Sequence, residues 1–124
     1  MCSSDLLLCM DGLAGVYLSE GRYPDAERLY LETLAIKKRV LGARHPETLN
    51  TMYNLGCLSS VRGDRAEGMN WIRQAVEGGY INADVMVHDT DLKALHGPEF
   101  DALLDRARRN AAAARAPGSD RPKN

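Results

Sequence analysis

Aromatic residues are scarce in this chain, which carries one Phe, one Trp and five Tyr among 124 residues. With β-branched residues also sparse, an all-β domain is disfavoured. No uninterrupted apolar stretch approaches the ~18 residues that a membrane-spanning helix needs, so such a helix is excluded. Charge of either sign is not in excess. Sixteen basic and 17 acidic side chains leave a formal charge of −1, which gives no electrostatic reason to expect a nucleic-acid partner. The three cysteines, Cys2, Cys9 and Cys57, form no Cys-x-x-Cys pair and cannot all be paired. Free thiols and a reducing, cytoplasmic setting follow. The length suits one small domain.

Residues 1–6 have no basic n-region and no small-residue cleavage site, so they are not a signal peptide. They resemble the translation of a short-read sequencing adapter, and are read as a non-native scar ahead of a gene fragment that continues upstream.

What the chain does have is an internal repeat, with an offset of 42 residues. Leu7, Met10 and Leu13 fall on Leu49, Met52 and Leu55, and Gly21 falls on Gly63. Small residues correspond as well: Ala14 with Gly56, Ala26 with Gly68, and Thr33 with Ala75. Apolar residues three apart share one face of a helix. Small side chains at fixed places let a second helix cross closely, and Gly21 and Gly63 suit the left-handed position that ends a helix. The repeating unit is therefore a helical hairpin.

The spacing Leu13-Ala14, Tyr17, Gly21, Tyr23, Ala26, Tyr30 resembles the tetratricopeptide repeat. The second copy, Leu55-Gly56, Gly63, Gly68, Ile72, Ala75, is weaker, with Ser59 and Arg65 where the pattern prefers aromatics. The usual period is ~34 residues, so the longer spacing inserts about two helical turns, roughly 12 Å. The insertion, residues 36–48, holds Leu41-Gly42 and His45-Pro46, and is similar to the linker of kinesin-light-chain-type repeats. The expected fold is an all-α tetratricopeptide α-solenoid of two helical hairpins plus C-terminal capping helices. The expected units are residues 7–48 (first repeat, long form), 49–79 (second repeat), 80–115 (cap) and 116–124 (disordered tail). Helices are expected over about 7–19, 24–41, 46–62, 64–77, 82–87 and 98–114. Residues 89–104 resemble the segment that closes such arrays in large bacterial proteins, serine/threonine kinases among them. Helix one has nothing before it, so weak stability in isolation, or self-association through that uncapped face, is expected.

Candidate chemistry is thin. His45 reads as a helix-start residue and not as a general base. His88, Asp89, Asp91 and His96 fit no zinc spacing, and the aspartates read as caps, so no metal site is expected. No glycine-rich phosphate loop precedes a helix, and no cofactor is expected. Cys57 reads as a small apolar residue and not a reactive thiol. Lys37-Lys38-Arg39 reads as a solvated face near a helix C-terminus. No catalytic residue is assigned, so any catalytic domain would lie upstream.

The resemblance implies recognition instead, with the first helix of each hairpin lining a concave groove that holds a peptide or partner domain. Carried over position by position, the groove candidates are Asp11, Gly15, Asn50, Tyr53, Asn54 and Cys57. Leu8, Leu18, Ser19 and Ser60 flank them. Asn54 stands where the family often has Asn, able to donate to a peptide carbonyl and accept from a peptide N–H. Gly12 holds the matching place in repeat one, so a paired-asparagine clamp is missing. The lysines and arginines that hold a C-terminal carboxylate are missing too. Two readings result: an interaction scaffold, or the non-catalytic C-terminal end of a larger enzyme such as a bacterial serine/threonine protein kinase.

Overall fold

A computed structural model describes residues 3–115 of the chain, with side chains from residue 9 onward. Six α-helices follow one another: α1 (Ser3–Ser19), α2 (Tyr23–Val40), α3 (Pro46–Val61), α4 (Arg65–Glu77), α5 (Ala83–His88) and α6 (Pro98–Arg115). A 3-10 segment, Thr90–Leu95, lies between the last two. There is no strand among the described residues. The all-α architecture expected from the repeat is present. Helix α1 starts at Ser3, a turn ahead of the expected Leu7. The Leu7 and Leu8 side chains, Cys2 and the tail 116–124 lie outside the described residues.

Local chemistry sets the boundaries. Gly21 and Gly63 have φ of 78° and 89°, the left-handed region where a Cβ is costly. Each closes its helix with the same bond one residue on. Arg22 N donates to Tyr17 O at 2.8 Å, and Asp64 N donates to Ser59 O at 2.9 Å, the bond that satisfies an orphan carbonyl at a helix end. Pro24 and Pro46 sit in the first turn of α2 and α3, where a missing N–H costs little. Asp64 caps α4 by accepting from Glu67 N at 3.1 Å. His45 does the same for α3, its Nδ1 accepting from Glu47 N at 3.1 Å.

The small residues lie where the helices cross. A Cβ on Gly56 would come within 2.6 Å of Ile72 Cδ1 and 3.3 Å of Gly68 O, and one on Gly68 within 3.2 Å of Gly56 O. Their equivalents in the first hairpin, Ala14 and Ala26, are fully buried. The core continues through Ile72, Val76 and Met86 into Leu92, Leu95, Phe100 and Ala107, so the segment after α4 shares one core with the hairpins.

One expectation needs correcting. Lys37 is not on a solvated face: it is 2% exposed. Its ammonium donates to Asp11 Oδ2 at 2.5 Å, Thr51 Oγ1 at 3.0 Å and Glu47 O at 3.3 Å. All three ammonium donors are used, and α1, α2 and α3 are tied at one point. The cause is register, because Ala26, Tyr30, Thr33, Leu34 and Lys37 form the buried stripe of α2. Lys38 and Arg39 are exposed as expected. Leu13 is 46% exposed and Val16 50% exposed. Their repeat equivalents Leu55 and Leu58 are each 1% exposed. Helix α3 has extensive contact with both α2 and α4, whereas α1 has it with α2 alone among the described helices.

Candidate functional site

The six groove candidates divide by what their side chains touch. Asp11 is half-buried and committed to Lys37, with its second oxygen 3.5 Å from Thr51 Oγ1. Gly15 is half-buried, with Tyr30 Oη 3.9 Å from where its Cβ would be. Asn50 is exposed and Asn54 half-buried, and neither side chain has a hydrogen-bond partner among the described residues. Tyr53 and Cys57 are buried, 6% and 4% exposed.

What buries the last two is the chain beyond α4. The Tyr53 ring stacks on Tyr80 with centroids 5.1 Å apart and planes 11° from parallel. Its hydroxyl donates to Asp89 Oδ2 at 2.6 Å. The Cys57 thiol donates to the same oxygen at 3.6 Å. Asp89 Oδ1 accepts from Asp91 N at 3.0 Å, so the residue caps the 3-10 segment while it anchors that segment to α3. Asp89 was legible as a cap; its role over α3 was not.

Electrostatics at this junction favour protonated groups. Burial above all, with nearby Asp89 adding, pushes the Cys57 thiol up, and the structural reading of Cys57 fits a thiol held protonated. Burial likewise raises Tyr53, helped by Cys57 and by the bond to Asp89. Asp91 is raised by burial and by the Asp89 carboxylate. Cys57, Asp89 and Asp91 bring their ligand atoms within 4.8 Å of one another. Asp89 spends both its oxygens on protein donors, so this is a hydrogen-bonded anchor. The histidines once weighed with these aspartates turn elsewhere. His88 Nδ1 lies 3.0 Å from Asp84 O, and the His96 ring stacks on Phe100 at 4.6 Å.

Two more anchors hold the closing segment, and sequence reasoning missed both. Arg65, in a place where the repeat pattern prefers an aromatic, donates to Ala94 O at 3.2 Å and Leu95 O at 3.4 Å. Asn110 on α6 donates to Val76 O and Tyr80 O, both at 2.9 Å, satisfying carbonyls at the end of α4. The departure from the aromatic at position 65 was the available signal for the first; nothing local marked the second.

Of the six candidates, Asn50 and Asn54 on α3 are the ones whose side chains are neither buried nor hydrogen-bonded among the described residues, apart from Gly15, which has no side chain. No curated protein matches the chain. A family model described as tetratricopeptide repeat matches residues 6–78. That stretch contains both hairpins, the glycine stops at 21 and 63 and the Gly56–Gly68 crossing, and the chain belongs to the tetratricopeptide repeat family.

Proposed function

We propose that this chain is a protein-interaction scaffold that holds a peptide or partner domain across the concave face made by α1 and α3. The family is generally a protein–protein interaction module, which supports the class of function. One observation carries the placement: Asn54 is half-buried on α3, and its carboxamide has no partner among the described residues. A carboxamide donates and accepts at once, matching the alternating groups of a peptide backbone. Asn50 sits one turn away on the same helix. Tyr53 and Cys57 support the face from behind through Asp89 and do not touch the ligand. The repeat units 7–48 and 49–79, their likeness to kinesin-light-chain repeats and the cap 80–115 belong to the same proposal. A cytoplasmic setting fits the free thiols of Cys9 and Cys57. The recognition role is unchanged if the chain closes the C-terminal end of a larger enzyme, such as a bacterial serine/threonine kinase.

The test is affinity capture from cell extract, with wild-type and Asn54→Ala chains as bait and partners counted by mass spectrometry. Recovery of the dominant partner is expected to fall about tenfold with Asn54→Ala, the scale of one lost contact at a binding hot spot. Equal recovery sinks the groove. Untagged chain added as prey tests self-association through Leu13 and Val16 in the same experiment.

A further inference from the structure

A second surface lies where the start of α3 meets the turn after α4. A cavity of about 160 Å³ opens there. Pro46, Leu49 and Tyr80 give it apolar walls, and Arg44, Asn50 and Asn82 give it polar ones. Arg44 is the one charged residue lining it, and Arg44 makes no ion pair or side-chain hydrogen bond among the described residues. Ile81 and Asn82 also line a wider groove of about 500 Å³ between α5 and α6. That groove adds Arg115 and Arg108, the latter paired with Asp105 at 3.3 Å, and one lining acid, Asp84. Ile81 and Val85, on its wall, are 44% and 47% exposed. The two depressions adjoin at Ile81 and Asn82, with Arg44 on one side and Arg115 on the other as basic lining residues without an ion pair among the described residues.

Size and charge together select the occupant. A cavity of roughly 150 Å³ holds one benzene-sized apolar group, so about 160 Å³ takes a single leucine-sized side chain. An unpaired guanidinium at the mouth is matched by a carboxylate, which it can bind through two parallel hydrogen bonds. We propose that this surface binds an acidic segment of a partner protein, which inserts one aliphatic side chain beside Tyr80 and sets a carboxylate against Arg44. Further carboxylates follow the groove toward Arg115. The inference shares only Asn50 with the concave-face reading and stands if that reading fails.

The probes are three fluorescein-labelled peptides: Glu-Glu-Leu-Glu-Glu, the same with Gly for Leu, and Lys-Lys-Leu-Lys-Lys. Binding to the whole chain is followed by anisotropy, and the site is mapped by amide NMR. The acidic leucine peptide is expected to bind and to shift the amides of Gly79, Ile81 and Asn82. Arg44→Glu and the Gly peptide are each expected to weaken binding roughly tenfold or more, as expected for a central charge or apolar anchor. Asn54→Ala is expected to leave binding unchanged, which separates this surface from the concave face. Arg44 is exposed, so Arg44→Glu keeps the fold, and a far-UV spectrum verifies it. No binding of the acidic leucine peptide overturns the proposal, as does equal binding of the lysine peptide. An affinity unmoved by Arg44→Glu, or lost with Asn54→Ala alone, overturns it as well.

Discussion

Lys37 carries its charge into the interior at the point where three helices meet, and only because Asp11, Thr51 and the Glu47 carbonyl accept its three hydrogen bonds. Moving an ammonium out of water costs several kcal/mol, and the cost is recovered only with every donor satisfied. Removing one partner is worse than removing both, since the survivor stays buried and unpaired. Asp11→Ala is therefore expected to destabilise the chain by about 3 kcal/mol. The double change Asp11→Leu with Lys37→Met is expected to recover most of that loss. Urea midpoints measured by circular dichroism check both, and a double variant weaker than Asp11→Ala refutes the account. This residue also marks where reading from sequence went astray. Its charge argued for solvent, while its place three and four residues after Leu34 and Thr33 put it on the buried stripe. Periodicity outweighed polarity, because a polar partner was waiting on another helix 26 residues away.

At the scale of elements, the crossing of α3 and α4 depends on two residues without side chains. Ile72 occupies the space where a Gly56 Cβ would project, and Ile72 is fully buried. Gly56→Ala is expected to cost about 2 kcal/mol, as overpacking in a filled core does. Adding Ile72→Val should restore part of it by shortening the clashing side chain. A thermal melt of the single and double variants measures this coupling, and strictly additive losses would show that the contact is not the cause. The crossing, the glycine stops and the helix order were legible because they are local or recur at a fixed offset. The covering of α3 was not. Asp89 meets Tyr53 and Cys57 across 36 and 32 residues, in a stretch where the repeat has lapsed, so no periodicity points from one to the other. The groove candidates were legible only as positions. Which ones stay open to a ligand depended on the fold of the segment after Gly79, and four of the six turned out exposed or half-buried.

For the molecule as a whole, the buried phenols set an alkaline limit. Burial is the largest cause that pushes Tyr30 and Tyr80 up to about 12, and it raises Tyr53 in the same direction. In the unfolded chain these groups ionise near their usual value of about 10. Above that pH the unfolded state loses protons that the folded state keeps. Stability therefore falls as pH rises, since its slope follows the difference in bound protons between the two states. The contribution is complete below pH ~10 and is lost progressively toward pH ~12, a decline of about a few kcal/mol for the buried phenols together. The three lie on α2, on α3 and just after α4, and Tyr53 and Tyr80 stack on each other, so both hairpins and the junction should let go in one transition. Absorbance of tyrosinate at 295 nm, titrated beside the helical signal at 222 nm, tests this. Tyr30, Tyr53 and Tyr80 should ionise only as the helices melt. Full tyrosinate absorbance over intact helices would mean that water already reaches Tyr30, Tyr53 and Tyr80, and that the hairpins are not closed over them.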